Sequence, residues 1–237
     1  MSNEQIIRRK LSDEVFDRLT GMITSGELGT GDALPSEREL MERFGVGRPA
    51  IREAMQALAN LGLIQISHGE RAKVRELTAR SVVRQVDLAA QMLLNASPAN
   101  LDHLKQARRF FERGMAHSAA ELAEPADLAL LHAALETQRG EIGQVEAFIR
   151  ADMNFHLQIA RISRNPIFEA VSEAMLTWLQ AYRTDLLIWP GNEDVTLREH
   201  EEIIARIAAR DAEGAEAAMV RHLDRSALLY GPKVTSD

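Results

Sequence analysis

The chain has 237 residues, 46% apolar and 27% charged, enough apolar material for one large domain or two small ones. It contains no cysteine, which excludes disulfides, cysteine zinc fingers, iron–sulfur clusters and thiol catalysis and fits a reducing, cytoplasmic setting. The net charge of −7 is spread unevenly: residues 1–75 carry 11 basic and 11 acidic side chains, and the remainder carries the whole excess. Within 36–75, seven basic residues outnumber five acidic ones, a balance compatible with one end of the chain binding DNA. The opening MSNEQIIRRK lacks the apolar stretch of a secretion signal, and no apolar run approaches the ~18 residues of a membrane span.

Leu11, Val15, Leu19, Met22 and Ile23 recur at helical spacing, with Ser12 as a cap candidate. A turn cluster follows at Gly26–Asp32. Its loose G-x-x-G-x-G is not a phosphate loop, because no strand precedes it and no Lys-Ser/Thr follows. Ser36 and Glu39 form a capping box that starts a short helix ending near Gly45. Pro49 fits the first turn of the next helix, whose apolar stripe is Ile51, Met55, Leu58 and Leu61 and whose stop is Gly62. Leu63–Ile66 and Ala72–Val74 flank a turn at Ser67–Arg71 in which Gly69 takes a positive φ, so this stretch predicts a β-hairpin. Two helices separated by Gly45-Val46-Gly47, with a hairpin behind them, make a winged helix-turn-helix.

Beyond Val74 only long amphipathic helices are expected, at about 79–95, 98–123, 125–140, 145–163, 166–188, 195–209 and 212–230. Ser97-Pro98 and Asn165-Pro166 are cap-plus-proline starts, Trp189–Asn192 is a break, and Asp211 caps the last helix. The expected fold is mainly α: a winged module of three helices and a hairpin over 1–76, then an all-α bundle of six or seven helices over 77–237.

Leu34-Pro-Ser-Glu-Arg-Glu-Leu40 and Gly45-Val-Gly-Arg-Pro-Ala-Ile-Arg-Glu-Ala54 resemble the GntR family of bacterial transcription regulators in order and spacing. The helical half resembles the FCD effector domain of the FadR subfamily, at Arg108-Arg-Phe-Phe-Glu112, Asp152-x-x-x-His156, Asn165-Pro166, His200 and His222. Gly47-Arg-Pro, Gly69-Glu-Arg-Ala72, Ala147–His156 and Arg164–Phe168 are similar to the NanR-type regulators of sialic-acid catabolism. The resemblance implies a cytoplasmic homodimer that represses a sugar-acid catabolic operon. Its effector would be a small carboxylate such as N-acetylneuraminate, with a hexuronate or a fatty-acid derivative as alternatives.

Arg48 and Arg52 are an i, i+4 pair near the N-terminus of the recognition helix. There an arginine can take guanine O6 and N7 bidentately in the major groove. The resemblance implies that Arg38 also reaches double-stranded operator DNA and that His68 and Gly69 form the wing tip. Arg71 and Lys73 fit phosphate contacts, which set register without reading sequence. The chain departs from the family pattern at Gly47, where a hydroxyl residue is usual, and in the wing, which lacks a second glycine.

At the other end, Asp152 and His156 share one helix face. His200 and His222 each lie eleven residues from Asp211, so an αα-hairpin turning there brings them to one height. His200 continues the stripe of Ile203, Ile204 and Ile207, and His222 that of Ala215, Ala218 and Met219. Three imidazoles and a carboxylate suit Zn²⁺, with Ni²⁺ or Mn²⁺ as alternatives. Arg108 is placed to pair with a ligand carboxylate, and Asn165 is taken as a second effector contact. Phe168, Trp178, Tyr182 and Trp189 are candidates either for the pocket wall or for the core, and His103, His117 and His132 are given no role. Two other functions compete. A metallohydrolase with an appended winged helix is disfavoured because His200-Glu-Glu-Ile-Ile204 fails the H-E-x-x-H pattern. A helical scaffold whose winged helix binds protein is disfavoured by the set Arg38, Arg48 and Arg52.

Overall fold

The computed structural model describes residues 9–182 and 192–229. The chain divides into two compact units, Met1–Gln85 and Val86–Asp237.

The first unit contains α1 (Leu11–Thr24), α2 (Glu37–Phe44), α3 (Arg48–Asn60), β1 (Ile64–Gln65), β2 (Lys73–Val74) and α4 (Ala79–Arg84). Its core is one cluster: Val15, Leu19 and Met22 from α1, Leu40 from α2, Ile51, Met55 and Leu58 from α3, and Ile64 and Val74 from the hairpin. Ser12 is not a cap. It lies inside α1 and is buried, and Lys10 occupies the cap position without a side-chain bond. The box at the start of α2 is complete, since Ser36 Oγ accepts from Glu39 N and Glu39 Oε2 accepts from Ser36 N at 2.7 Å.

α3 ends in a Schellman turn: Gly62 N donates to Ala59 O and Leu63 N to Leu58 O, with Gly62 at φ +70°. Leu61 has left the helix and is exposed, so it drops out of the buried stripe. β1 and β2 pair antiparallel, Ile64 opposite Val74. The preceding loop runs along the other edge of β2, with an isolated bridge between Ala33 and Lys73 and with Leu34 N donating to Ala72 O at 2.7 Å. The hairpin is therefore fastened on both sides at its root, while His68 and Gly69 stand exposed at the tip.

The expected helix at about 79–95 is two helices, α4 and α5 (Asp87–Ala96). The side chains at the break are committed elsewhere: Gln85 Nε2 donates to Leu61 O at 2.7 Å, and Asp87 Oδ1 accepts from Trp178 Nε1 at 2.9 Å. The second unit continues with α6 (Pro98–Leu122), α7 (Pro125–Gly140), α8 (Val145–Ile162), α9 (Pro166–Tyr182), α10 (Glu193–Ala208) and α11 (Ala212–Leu229). α6 packs along α11, α7 along α8, and α10 against α11. Two apolar clusters fill it, one around Phe155, Ile159, Ile203, Ile207 and Met219, the other around Leu94, Leu104, Ile149, Met175 and Leu179. The expected break at Trp189–Asn192 falls mostly outside the described residues. Among the described residues no helix is long and apolar enough to cross a membrane.

Candidate functional site

α8 carries Asp152 and His156 one turn apart on its inward face, and the α10–α11 hairpin brings His200 and His222 to the same place. The Asp211 carboxylate caps the second arm of that hairpin, accepting from Gly214 N at 2.9 Å. The four ligand atoms lie within 4.8 Å of one another. His222 Nε2 stands 3.2 Å from His156 Nε2 and 3.4 Å from His200 Nε2. Asp152 closes the group, with Oδ1 3.6 Å from His200 Nε2 and Oδ2 3.8 Å from His156 Nε2. All three imidazoles are buried, and Phe155 stacks on the His200 ring at 3.9 Å.

Each ring is held from behind through Nδ1, and the partners fix the protons. His222 Nδ1 donates to Glu199 Oε2 at 2.8 Å. His156 Nδ1 is 2.5 Å from Glu112 Oε2, so close that the ring proton must lie on Nδ1, facing the carboxylate. His200 Nδ1 faces Gln138 Oε1 at 2.8 Å. The Gln138 amide is itself oriented by Asp152. A carboxylate can only accept, so Gln138 Nε2 donates to Asp152 Oδ1 at 3.0 Å and its oxygen must face His200. With every ring proton on Nδ1, all three Nε2 lone pairs point inward, beside a carboxylate.

That arrangement fits a cation. Three acceptor nitrogens and an anionic oxygen face one another in a buried space, where unmatched acceptors are costly. A single proton would bridge one pair and leave the rest opposed. Nitrogens bound to a tetrahedral Zn²⁺ stand ~3.3 Å apart, as follows from Zn–N lengths near 2.0–2.1 Å. The two measured Nε2 separations match that spacing. Burial pushes the His222 pKa below its ordinary value and the His200 pKa well below it, so both rings are neutral at neutral pH and offer their lone pairs. The backing groups form the outer shell that metal-bound imidazoles need. Burial works against the Glu112 charge, but Arg108 and His156 outweigh it and hold the carboxyl at about 2. Burial likewise opposes the charge on Glu199, and hydrogen bonds from His222 and Arg225 more than offset it, lowering its pKa.

Arg108 is buried and donates through Nε to Glu112 Oε1 at 2.5 Å, so it supports the His156 side of the cluster. It also lies on the wall of a cavity of about 360 Å³, with Lys105, Arg109, Leu179 and Leu223. Asn165 is not gathered round the cluster; its Oδ1 accepts from Ile167 N at 2.9 Å and caps α9. Phe168 packs edge-on against Phe111, and Trp178, partly buried, packs against the second apolar cluster and donates to Asp87 of α5. The side chain of Tyr182 and all of Trp189 lie outside the described residues. Sequence reasoning did not assign Glu112, Gln138 and Glu199 to the cluster. Glu112 is four residues from Arg108 and Glu199 adjoins His200, both usable signals. Gln138 has none, because it arrives from a separate helix.

In the first unit, Arg48 and Arg52 project from the same side of α3 and meet at Glu37 of α2. Arg38 is exposed and stands 3.8 Å from Glu42. Arg71, at the base of the wing, is 3.9 Å from Glu39, and Lys73 is 3.8 Å from Glu70. At the tip Gly69 has φ +77°, a conformation that other residues adopt only with strain.

A winged helix-turn-helix in a chain that also carries a helical unit with a buried three-histidine, one-carboxylate cluster describes a DNA-binding regulator of two domains. The sequence matches the model of the bacterial regulatory proteins of the gntR family over residues 11–74 and that of the FCD domain over residues 103–225. The HTH-type transcriptional repressor NanR of Citrobacter rodentium is 40% identical over 227 residues, covering 94% of this chain and 86% of that protein. NanR of Klebsiella aerogenes is 40% identical over 220 residues, covering 92% and 84%. The chain belongs to the GntR family of bacterial transcription regulators, in the branch that carries an FCD domain. Its relatives are regulators and not enzymes. A solved structure of Streptococcus agalactiae GntR shares the fold with a TM-score of 0.72 at 23% identity, covering 91% of this chain and 98% of that one.

Proposed function

We propose that this protein is a homodimeric repressor whose affinity for a double-stranded operator is set by a small carboxylate bound at a divalent-metal centre in the second unit. The observation that carries the reading is the convergence of three inward Nε2 lone pairs with Asp152, each ring backed by its own acceptor. Asp152, His156, His200 and His222 would hold Zn²⁺, with Ni²⁺ or Mn²⁺ as alternatives. The bound cation would supply open coordination positions for a ligand carboxylate. Arg108 lines a cavity together with Lys105 and Arg109 and would pair with an anionic ligand there, whereas the Asn165 carboxamide oxygen is engaged as the cap of α9.

The NanR relatives are named repressors, and the sequence is similar to regulators of sialic-acid catabolism, so N-acetylneuraminate is the first effector to test. In the first unit Arg48 and Arg52 would read base edges, with Arg38, His68, Gly69, Arg71 and Lys73 along the groove walls and backbone. Two copies would present two readers to two half-sites. Coupling between the sites is expected at ~1–3 kcal/mol, a change of several-fold to a hundredfold in operator affinity. Metal-stripped protein is melted alone, with Zn²⁺, and with Zn²⁺ plus N-acetylneuraminate. Zn²⁺ raises the melting temperature and the sugar acid raises it further only when Zn²⁺ is present, since each binds the folded state. No response to any divalent metal sinks the metal centre. A response to metal but to a different acid keeps the centre and replaces the effector.

A further inference from the structure

One carboxylate on the surface of the first unit holds both arginines of the reading helix. Arg52 Nε donates to Glu37 Oε1 at 2.9 Å and to Oε2 at 3.1 Å, while Arg48 Nε stands 3.5 Å from Oε2. Both arginines are well exposed and Glu37 is the more sheltered partner. Glu37 is not needed to cap α2, because Ser36 and Glu39 already complete the box there. A carboxylate beside a DNA-binding surface also repels phosphates and weakens binding to every sequence. Its presence therefore calls for a role that raw affinity does not explain.

The geometry points to Glu37 as a positioning residue for sequence readout. This rests on α3 being the DNA-reading helix. Arginine reads guanine through two parallel N–H groups aimed at O6 and N7, so the plane of the guanidinium must be fixed. Glu37 takes the Nε side of Arg52 with both oxygens and leaves the Nη1–Nη2 edge as the end that faces outward. The long side chain is thereby oriented before DNA arrives. Arg48, in longer single contact with the same carboxylate, is the partner that leaves for a base or phosphate while Arg52 stays braced. Glu37 lowers affinity for all DNA and raises the preference for the right sequence.

The test uses the full chain. The tightest duplex is selected from a random-sequence pool with the wild type. The wild type, Glu37→Gln, Glu37→Asp and Arg52→Ala are then titrated on it and on a scrambled duplex of equal composition, at one salt concentration. Glu37→Gln binds the scrambled duplex more tightly than the wild type, and its ratio of selected to scrambled affinity falls about tenfold, part of the discrimination carried by one bidentate contact. Glu37→Asp keeps the charge but loses the reach, so its ratio falls without any gain on the scrambled duplex. An unchanged ratio in Glu37→Gln, or an equal gain on both duplexes, reduces Glu37 to a surface charge and overturns the inference. A ratio that falls only together with the melting temperature assigns Glu37 to stability and overturns it as well. An undiminished ratio in Arg52→Ala is a different failure, of α3 as the reading helix.

Discussion

In the first unit Arg48 and Arg52 are 60% and 65% exposed and share Glu37, whereas in the second Glu112 is 3% exposed and grips Arg108 and His156 together. Exposed pairs of the first kind contribute ~0–1 kcal/mol and give way readily to a phosphate oxygen or a base edge. Taking one member from a buried pair leaves an uncompensated charge and costs ~3–5 kcal/mol. The same residue types therefore do different work. The exposed arginines can exchange partners at little cost, and the buried cluster holds its side chains in one geometry.

The largest effect that tests this contrast is expected from His222→Ala. It removes one inward nitrogen and abolishes the rise in melting temperature with Zn²⁺, with affinity falling more than the ~10–100-fold typical of outer-shell losses. Isothermal titration of metal into stripped protein measures it. If affinity survives, the four side chains do not act as one site. Next comes Gln138→Leu, which keeps all four ligands but frees both Asp152 and the His200 ring. Metal affinity should drop by ~10–100-fold with the ligand set intact. An unchanged value would mean that the rings hold their orientation without the amide. Smaller still is Arg71→Ala in the wing. It should weaken binding to all duplexes alike and lower the slope of log affinity against log salt by about one. Sequence-selective loss would move Arg71 from the backbone to a base.

The smallest effect concerns an ion pair of intermediate burial. Arg164 donates to Asp127 from both Nη groups, at 3.0 and 2.6 Å, and with the Glu124 N–H these bonds hold the Asp127 carboxyl below its usual range although burial opposes them. A carboxyl with a lowered folded pKa adds stability that is fully present above its unfolded pKa and is lost as pH falls through the folded value. Asp127→Asn should therefore cost under about 1 kcal/mol at neutral pH, since Arg164 is half-exposed, and nothing once the wild-type carboxyl is protonated. Melting curves of both proteins between neutral and strongly acid pH should converge on the acid side. A gap that is constant with pH would show that charge is not what the pair contributes.

Much of the fold was legible because its signals are local. The Ser36–Glu39 box, Pro49, Gly62, Ser97-Pro98 and Asp211 act on neighbours within a turn of helix, and each meets its expected partner or position. The four candidate ligands were legible for the same reason, since an i, i+4 pair and two equal arms about one turn need no knowledge of packing. Gln138 was not, because it reaches the cluster from α7, whose rotation about its own axis is set only by tertiary contact. Glu37 was hidden likewise by the crossing of α2 and α3. The break at Gln85 was missed because Gln85 and Asp87 are good helix residues until their side chains find Leu61 and Trp178.

The hairpin of α10 and α11 has one more consequence. His200 and His222 arrive side by side because ten residues separate each of them from Asp211. Adding or deleting one residue in either arm would swing the ring beyond it by about 100° and shift it along the axis. Over 201–210 and 212–221 this protein can exchange one amino acid for another, but it cannot change how many there are.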